Sequence, residues 1–410
     1  MNTSTSPRST AFPSHLPPAA PAAARAVFAL LKTLPRGSLD VQLPDGSHRH
    51  FGQATADAPR AAIRLRNWKP CSAALRSGDI GFAESFIAGD WTSPDLVALM
   101  TLLAENRDAI ESVVYGSWWG ALLHRVRHLL QRNSRAGSKR NIHAHYDLGN
   151  AFYALWLDPT MNYSSAWFDG DLERPMVDAQ WAKVRRALAE CGAAPGSRVL
   201  EVGCGWGALA ECAARDFGAE VTGVTLSSEQ LAFGQQRLAT QGLAGDLRFQ
   251  DYRDIPDGPF DAVVSIEMFE AVGRAYWDGY FAMLRRQLKP GGRACIQTIT
   301  IRDDLFDRYA NSTDFIQQYI FPGGMLPSPS QFRAAAARAG LKVVNELSFG
   351  TDYAETLRRW RVQFLAREAE VRTLGFDTRF MRTWEFYLAY CEAAFATGNT
   401  GVWQFTLARE

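Results

Sequence analysis

Three glycines alternate with other residues in the stretch VLEVGCGWG, residues 199–207, and a carboxylate at Glu201 precedes them. A glycine-rich turn between a strand and a helix lets backbone amides and the helix N-terminus approach a ligand closely. The NAD-binding fingerprint is GxGxxG, whereas Gly203, Gly205 and Gly207 follow the pattern GxGxG. The spacing therefore disfavours NAD, and it leaves open a different adenosyl ligand or a tight turn without a ligand.

The next two strand ends favour an adenosyl ligand over a dinucleotide. A dinucleotide site usually has an acid at the end of the second strand, but here the stretch TGVTLSSEQ supplies Thr225 and Gln230. After the third strand, Asp251 and Tyr252 offer a carboxylate and a ring that suit an adenine. With Glu201 placed to hold a ligand amino group, this pattern is typical of the ExGxGxG loop of S-adenosylmethionine-dependent methyltransferases. The sequence predicts S-adenosylmethionine as the cofactor.

These residues require a sheet whose strand ends meet at one edge. From Val177 onward, short apolar strands alternate with helices of about ten residues or more, which predicts a parallel sheet with helices on both faces. Residues 22–115 combine short apolar segments, turn signals and a helical pattern, which is typical of a small α+β domain. We expect an α/β fold with a Rossmann-like sheet in residues 141–410, preceded by this small domain and by a disordered tail at 1–21.

A cationic segment separates the two predicted domains. Between Glu111 and Asp147 the chain has no acidic residue but six lysines and arginines, and SWWGALLHRVRHLLQR places apolar and basic residues on opposite helical faces. Residues 116–140 are therefore predicted to form a basic amphipathic helix and a linker. Such a helix can dock on anionic lipid. The alternative is packing between domains, or between two copies of the chain in a homodimer.

Composition excludes several classes of protein. No stretch approaches the roughly 20 apolar residues of a membrane span, and the N-terminus lacks the features of a signal peptide. All seven histidines precede residue 146, which argues against a Ser-His-Asp or Cys-His hydrolase in the larger domain. The basic residues are concentrated in one segment, which argues against nucleic acid as a partner. The six cysteines show no CxxC spacing, so we expect reduced thiols and a cytoplasmic protein.

A metal is not expected either. His143 and His145, with Asp147, form an HxH pair, but no further ligand follows at a recognisable spacing. We expect these residues to order a loop that closes over the cofactor.

The chain resembles the cyclopropane-fatty-acyl-phospholipid synthase family, whose members are class I methyltransferases. Residues 75–105 resemble the family's smaller lipid-handling domain. The main resemblance rests on motifs in order over about residues 140–408: AHYDLGNAFYALWLDPTMNYSSAWF, VLEVGCGWGALA, GVTLSSEQ, QDYRD, SIEMFEAVG, YIFPGGMLPS, TDYAETLRRW, FYLAYCEAAF and VWQFTLAR.

This resemblance implies an activity and a set of residues. The methyl group of S-adenosylmethionine passes to a cis double bond of a phospholipid acyl chain, and the resulting carbocation loses a proton as a cyclopropane ring closes. The implied proton acceptor is a bound bicarbonate, and Tyr163 and Ser164 match the pair that contacts the cofactor. The bicarbonate pocket would be formed by Ser165, Glu270, Gln297, the Ile299 backbone and Tyr353.

Two of these positions depart from the family pattern. Ser165 stands where a cysteine is common and keeps the capacity for hydrogen bonds. Gln297 stands where a histidine is common, and an amide cannot carry charge near an anion. Bicarbonate is then held differently, or the cation loses another proton and yields a methylene or methyl-branched chain.

Cys391 matches a cysteine sometimes labelled catalytic in the family, and it is a candidate here. Methyl transfer to an alkene needs no thiolate, however, so we expect a Cys391→Ala enzyme to stay active. Aromatic faces would stabilise the cation. The candidates are Tyr319, Phe321, Tyr353, Trp360, Phe364 and Tyr387.

Two other function classes remain open from the sequence. One is a small-molecule N- or C-methyltransferase on the same fold, although a small soluble substrate would not require the FPGG and DYAETL motifs or the N-terminal domain. The other is a catalytically silent relative that binds lipid or cofactor, a reading motivated by Gln297. The leading prediction is an enzyme associated peripherally with the inner membrane surface, with an unsaturated phospholipid as substrate.

Overall fold

The structure, a computed structural model, describes residues 16–114 and 148–410 of the chain. The chain divides into two compact units, Met1–Ala121 and Leu122–Glu410. Several predicted features lie outside the described residues: most of the tail at 1–21, the basic helix and linker at 116–140, and His143, His145 and Asp147.

The N-terminal unit combines a four-stranded sheet with helices. The strands are β1 (Ser38–Gln42), β2 (His48–Gly52), β3 (Arg60–Leu65) and β4 (Trp91–Thr92), in the spatial order β2-β1-β3-β4. The helices are α1 (Ala22–Leu31), α2 (Lys69–Ile87), α3 (Leu96–Glu105) and α4 (Arg107–Val114). Trp91 is fully buried and stacks on Phe82 with ring centroids 4.3 Å apart, which ties the short edge strand β4 to α2.

The C-terminal unit is built on a seven-stranded sheet. Its strands are β5 (Arg198–Val202), β6 (Glu220–Thr225), β7 (Asp246–Phe249), β8 (Phe260–Ile266), β9 (Leu288–Ile301), β10 (Leu341–Ser348) and β11 (Thr400–Arg409). They lie in the order β10-β11-β9-β8-β5-β6-β7. Strands β5 to β9 are parallel, and β11 is inserted antiparallel between β9 and β10.

Eleven helices accompany this sheet in residues 148–410: α5 (Asn150–Ala154), α6 (Met176–Glu190), α7 (Ala208–Phe217), α8 (Ser228–Thr240), α9 (Trp277–Gln287), α10 (Asp303–Tyr309), α11 (Phe315–Tyr319), α12 (Pro329–Arg338), α13 (Gly350–Ala366), α14 (Glu368–Thr373) and α15 (Thr378–Ala396). Side-chain caps fix several of their starts. The Ser227 hydroxyl accepts from the Gln230 amide at α8, and the Ser328 hydroxyl accepts from the Gln331 amide at α12.

The sheet is apolar on both faces. Neighbouring residues of β5 alternate between two cores: Val199 packs with α6, α7 and α8, whereas Leu200 packs with α9, α10 and α12. A parallel strand covered on both sides needs apolar side chains at successive positions, as β5 and β8 have. The predicted parallel sheet with helices on both faces is confirmed.

The parallel strands deliver the candidate residues to one edge of the sheet. The glycine run follows β5, Gln230 lies on α8 after β6, Tyr252 follows β7 and Glu270 follows β8. Ligands of such sheets bind outside the carboxyl ends of the strands. None of the helices in the described parts of the chain has both the length and the apolar character that a bilayer span requires.

Candidate active site

The glycine run forms the turn between β5 and α7. Gly203 and Gly207 have φ angles of 86° and 79°, a region that glycine occupies without strain. A Cβ at position 203 would lie 2.8 Å from the Met268 side chain, and one at 207 would lie 3.0 Å from the Gly234 Cα. A Cβ at position 205 would meet no atom within 4 Å. Two glycines therefore permit close packing, and Gly205 leaves the loop open on its side.

A cavity of about 170 Å³ lies at this edge of the sheet. Most residues predicted to bind the cofactor line it: Tyr163, Ser164, Glu201, Gly203, Gly205, Thr225, Gln230 and Tyr252. Gly207 and Asp251 are not in its lining. Gly207 is the N-cap of α7, and Asp251 caps the 3-10 turn Tyr252–Asp254.

Local bonds occupy the carboxylate of Asp251. It accepts from the Arg253 backbone amide at 3.0 Å and from the Arg253 guanidinium at 2.5 and 2.8 Å. Arg253 itself lines the cavity, together with Gln250 and Tyr252. The residues placed to contact an adenine at this strand end are therefore Gln250, Tyr252 and Arg253. Asp251 orients Arg253.

Glu201 presents a buried carboxylate at the cavity. The residue is 5% exposed, and its Oε2 atom has no hydrogen-bond partner among the described residues. Burial raises the pKa of Glu201 well above its usual range, and the Lys183 ammonium opposes that rise. A buried carboxylate oxygen without a partner is costly unless a cation pairs with it. The site therefore suits the amino group of a ligand.

Lys183 on α6 is a fully buried cation that contacts Ser164, a residue of the cavity lining. Its Nζ atom donates to the Ser164 hydroxyl at 2.6 Å. Burial lowers the pKa of Lys183 to about 8, and the carboxylates of Glu267, Asp158 and Glu201 oppose the fall. This lysine links Ser164 to the acidic groups of the cavity.

Glu267 accepts three hydrogen bonds from residues of three different elements. Its Oε1 atom accepts from the Ser165 backbone amide and from Gln297 Nε2, both at 2.8 Å. Its Oε2 atom accepts from the Tyr353 hydroxyl at 2.7 Å. The residue lines the cavity and has a φ of 49°, an uncommon conformation for a residue other than glycine. Burial raises the pKa of Glu267, against Lys183 and the three donors.

A chain of amides fixes the orientation of Gln297. Its Oε1 atom accepts from Gln404 Nε2 at 2.9 Å, because β9 and β11 pair with these two residues in register. Gln404 Oε1 in turn accepts from the Arg186 guanidinium at 2.5 Å. The carbonyl end of Gln297 is therefore occupied, and its NH₂ group faces Glu267. Gln297 acts as a donor to a carboxylate.

Glu270 lies three residues beyond Glu267, after the end of β8. Its Oε1 atom accepts from the Thr298 hydroxyl at 3.0 Å and from the Ile299 backbone amide. Its Oε2 atom has no hydrogen-bond partner among the described residues. Burial, and then the nearby charge of Glu267, raise the pKa of Glu270 to about 8. At neutral pH Glu270 therefore holds a proton.

Ser165 takes part through its backbone. Its hydroxyl donates to the Ala166 carbonyl at 2.9 Å, whereas its amide donates to Glu267. The substitution of serine for cysteine therefore leaves the donor toward the site unchanged, since a backbone amide does not depend on the side chain.

Aromatic rings continue from Tyr163 away from the glycine loop. Tyr163 shares a hydrogen bond with the Tyr387 hydroxyl at 2.7 Å, and its ring lies 5.5 Å from Trp360 and 6.5 Å from Phe321. Tyr353 adjoins Trp360 at 6.2 Å. Five of the six predicted aromatics join this cluster, since Phe364 contacts it through Phe152. Tyr319 packs instead on Phe315 at 5.5 Å.

Residues 133–405, more than half of the chain, match the sequence model of the family described as "Mycolic acid cyclopropane synthetase". The chain belongs to this cyclopropane synthetase family. It is similar to tuberculostearic acid methyltransferase UfaA1 of Mycobacterium tuberculosis, with 41% identity over 374 residues, 88% of this chain and 86% of that one. It is also similar to cyclopropane-fatty-acyl-phospholipid synthase of Escherichia coli K12, with 35% identity over 360 residues, 87% and 89% of the two chains.

Solved structures of the family share the fold. Mycolic acid cyclopropane synthase CmaA1, crystallised with SAH and CTAB, is 33% identical with a TM-score of 0.62 and covers 66% of this chain and 98% of its own. The cyclopropane synthase MmaA2 from Mycobacterium tuberculosis is 30% identical with a TM-score of 0.61 and covers the same shares. The predicted class I methyltransferase fold is confirmed, and the chain is an S-adenosylmethionine-dependent methyltransferase.

The cavity of this chain fits S-adenosylmethionine. Glu201 has an oxygen free to hold the amino group, Gly205 leaves room beside the loop, and Tyr252 offers a ring to the adenine. Two acids, Glu201 and Glu267, face the cavity, whereas Lys183 is bonded to Ser164 and Arg253 is paired with Asp251. A cationic ligand favours the ionised form of both acids, so the cavity suits such a ligand.

Cys391 lies on α15, next to the aromatic cluster. Burial raises the pKa of this thiol far above its ordinary value, and Asp314 adds to the rise. A reactive cysteine needs surroundings that favour the thiolate. The structure places a neutral thiol here, and the expectation that Cys391 is dispensable for methyl transfer stays a prediction.

The sequence-based predictions did not include three residues of the site: Glu267, Lys183 and Gln404. Glu267 stands inside the quoted SIEMFEAVG motif, three positions before Glu270, so an acid pair at one strand end was a visible signal. Lys183 is a buried polar residue of α6, and Gln404 is a buried polar residue of β11. Nothing in the sequence indicates that they meet Gln297 and Ser164.

In residues 16–114 and 148–410, no group of three or more His, Cys, Asp or Glu side chains is arranged to hold a metal ion. The histidine pair at 143 and 145 lies outside those ranges, so its role stays a prediction.

Proposed function

We propose that this methyltransferase acts on the cis double bond of an unsaturated fatty acyl chain carried by a phospholipid. The carboxylate of Glu267 carries this proposal, because it is buried, lines the cofactor cavity and is held by three donors. An alkene is a weak nucleophile, and the cation formed from it needs a dry surrounding and a base. The buried aromatic cluster offers the dry surrounding, and the donors and acids around Glu267 mark where the base acts.

The reaction needs S-adenosylmethionine, the acyl double bond and a base, and no further reactant. S-adenosylmethionine supplies an electrophilic methyl group. The π electrons of the double bond form a bond to the methyl carbon as its bond to sulfur breaks, and the other alkene carbon becomes a cation. A base then removes a proton from the new methyl group. The electron pair of that C–H bond closes a three-membered ring, or forms an exocyclic methylene if a hydride has first shifted to the cationic carbon.

The surrounding rings support this reaction class. Tyr163, Trp360 and Tyr387 belong to the aromatic cluster next to Glu267, and a cation over an aromatic face gains roughly 0.5 to 2 kcal/mol. Bulky buried rings also exclude water, which would otherwise capture the cation as an alcohol. A small polar substrate would require polar partners in place of this cluster.

A cyclopropane is the first candidate product, in keeping with the similarity to the E. coli synthase. A methylene-branched chain, which a later reduction turns into a methyl branch, is the second. Two observations favour it: the 41% identical relative is named a methyltransferase, and position 297 holds an amide. Bicarbonate as the base is part of the first candidate and stays a prediction.

The phospholipid is proposed as the acyl carrier because of the predicted lipid-handling domain and basic helix. The segment 116–140, for which a basic helix and linker are predicted, lies outside the described residues, so docking on the membrane surface stays a prediction. Binding to liposomes should strengthen with anionic lipid and weaken with salt. Binding indifferent to both would contradict the docking proposal.

The first experiment is expression in a host that lacks its own synthase and is fed methionine with a deuterated methyl group. Fatty acids are then separated by gas chromatography against cyclopropane and methylene standards and identified by mass spectrometry. We expect a mass gain of CD₂ in unsaturated acyl chains, and the retention time distinguishes the ring from the methylene.

A variant with an impaired cofactor site is the control. Glu201→Ala removes the carboxylate predicted to hold the cofactor amino group, so label should fall with it. Unlabelled lipids from cells in which the wild-type protein is folded and binds S-adenosylmethionine would contradict the proposal and direct the search to small soluble substrates.

A further inference from the structure

The donors predicted for bicarbonate are already bonded to carboxylates of the chain. The Ser165 amide, the Gln297 amide group and the Tyr353 hydroxyl donate to Glu267. The Ile299 amide donates to Glu270. A carboxylate has the same planar pair of oxygens that a bicarbonate presents, so Glu267 satisfies the hydrogen bonds that a free anion would otherwise make.

We propose that the carboxylate of Glu267 is itself the proton acceptor of the reaction, in place of a bound bicarbonate. This inference rests on the proposed methyl transfer to a double bond. The C–H bond of the transferred methyl group breaks, its proton goes to a Glu267 oxygen, and its electron pair forms the new carbon–carbon bond. The carboxylic acid then returns the proton to solvent before the next turnover.

The geometry leaves Glu267 able to accept this proton. A carboxylate has about four acceptor sites, and three are used, two on Oε1 and one on Oε2. Oε2 keeps a lone pair, and the residue lines the cofactor cavity. The occupied carbonyl of Gln297 keeps the amide turned so that it donates to Oε1. The base is thus held in one orientation.

The charges of the site disfavour an additional anion. Glu201 and Glu267 already face the cavity, and Glu270 lies beside Glu267. Two cations lie near them: Lys183, which is buried, and Arg253, which is already paired with Asp251. A bicarbonate would add a further negative charge next to buried carboxylates, and like charges at close range in a dry site repel strongly.

Two substitutions of Glu267 test the proposal. Glu267→Gln keeps the volume and removes the base, so turnover should fall by about 10²- to 10⁴-fold. Glu267→Gly removes the side chain without backbone strain, since a φ of 49° suits glycine. It leaves a hole of carboxylate size lined by the Ser165, Gln297 and Tyr353 donors.

The assay uses the purified full chain, S-adenosylmethionine and vesicles of unsaturated phosphatidylglycerol in buffer freed of carbon dioxide. We expect the wild type to turn over at the same rate with and without bicarbonate. The Gly variant should be inactive alone and regain activity when formate, acetate or bicarbonate is added. Calorimetry should show that both Glu267 variants still bind S-adenosylmethionine.

A second readout needs no turnover. Formate or acetate should raise the melting temperature of the Gly variant at concentrations that leave the wild type unchanged, because a ligand that binds only the folded state stabilises it. Glu201→Gln is the matched control, since it removes another carboxylate of the same cavity. It should weaken S-adenosylmethionine binding and show no rescue by these anions.

The outcomes separate the two proposals. A wild type that requires bicarbonate, or a folded Gln variant that keeps activity within about threefold, overturns the assignment of Glu267. A wild type that methylates no acyl chain overturns the proposed function, and the Gly variant's melting with small anions then decides whether Glu267 fills an anion site. If the Gly variant does not fold, the Gln variant and the bicarbonate dependence of the wild type decide.

Discussion

Replacement of Glu270 by glutamine should change how stability depends on pH. Burial and the charge of Glu267 raise the pKa of Glu270 from 4.5 to about 8 in the folded chain. Below about pH 4.5 both the folded and unfolded states hold the proton. Between 4.5 and 8 the unfolded state releases it and the folded state retains it, so the free energy of unfolding falls as pH rises.

The size of the effect follows from the two pKa values. One pKa unit corresponds to about 1.4 kcal/mol, so the rise from 4.5 to about 8 removes at most about 5 kcal/mol by the time pH exceeds 8. Glutamine keeps the acceptor for Thr298 and Ile299 and has no proton to lose. The variant should therefore gain stability relative to the wild type by about 4 kcal/mol between pH 5 and pH 8.

Urea unfolding of both proteins at several pH values between 5 and 9 measures this difference. The slope of the unfolding free energy against urea concentration should be the same for the two proteins, because both should expose the same surface on unfolding. Other groups that titrate, including Lys183 and Glu267, contribute to both curves, so the difference between the curves reports on Glu270. Parallel pH profiles for the two proteins would refute the assignment of a retained proton to Glu270.

Three further predictions concern single residues. Glu201→Gln should weaken S-adenosylmethionine binding by roughly 10- to 100-fold, from the loss of a charged hydrogen bond of about 1.5 to 3 kcal/mol, and unchanged affinity in calorimetry would remove Glu201 from the cofactor site. Cys391→Ala should keep turnover within about twofold, because the thiol is buried and neutral; near-complete loss of turnover in a folded variant would contradict this reading. Gln404→Leu should lower the free energy of unfolding by about 1 to 3 kcal/mol, since Gln297 Oε1 loses its donor in a buried site. The same variant should lose turnover beyond that expected from stability, since Gln297 is no longer held toward Glu267; normal turnover of the folded variant would count against the amide chain.

The parallel sheet and the cofactor edge could be predicted because their signals are local. The glycine register depends on a turn of five residues, and the alternation of strands and helices depends on periodicity within each element. Glu201, Gly203 and Gly205 line the cavity for that reason. Asp251 shows the limit of such reasoning. Its position in the sequence predicted a contact with the cofactor, but its carboxylate is bonded to the Arg253 guanidinium instead.

The acid cluster could not be predicted in the same way. Glu267 is held by Ser165, Gln297 and Tyr353, which come from a loop, from β9 and from α13. Family resemblance named these donors but not the group they bond. Which acceptor fills a buried site depends on long-range packing, and a sequence pattern shows only that an acid is present in the motif.

The register of β9 and β11 has a consequence for how this enzyme can diverge. Gln297 and Gln404 face each other across the two strands, and the Gln404 amide is the donor that the buried Gln297 carbonyl accepts from. A descendant that exchanged Gln297 for an imidazole would leave Gln404 with a mismatched neighbour and Glu267 with a changed donor. Positions 267, 297 and 404 should therefore be inherited as one unit, and lineages that differ at one of them should differ at the others.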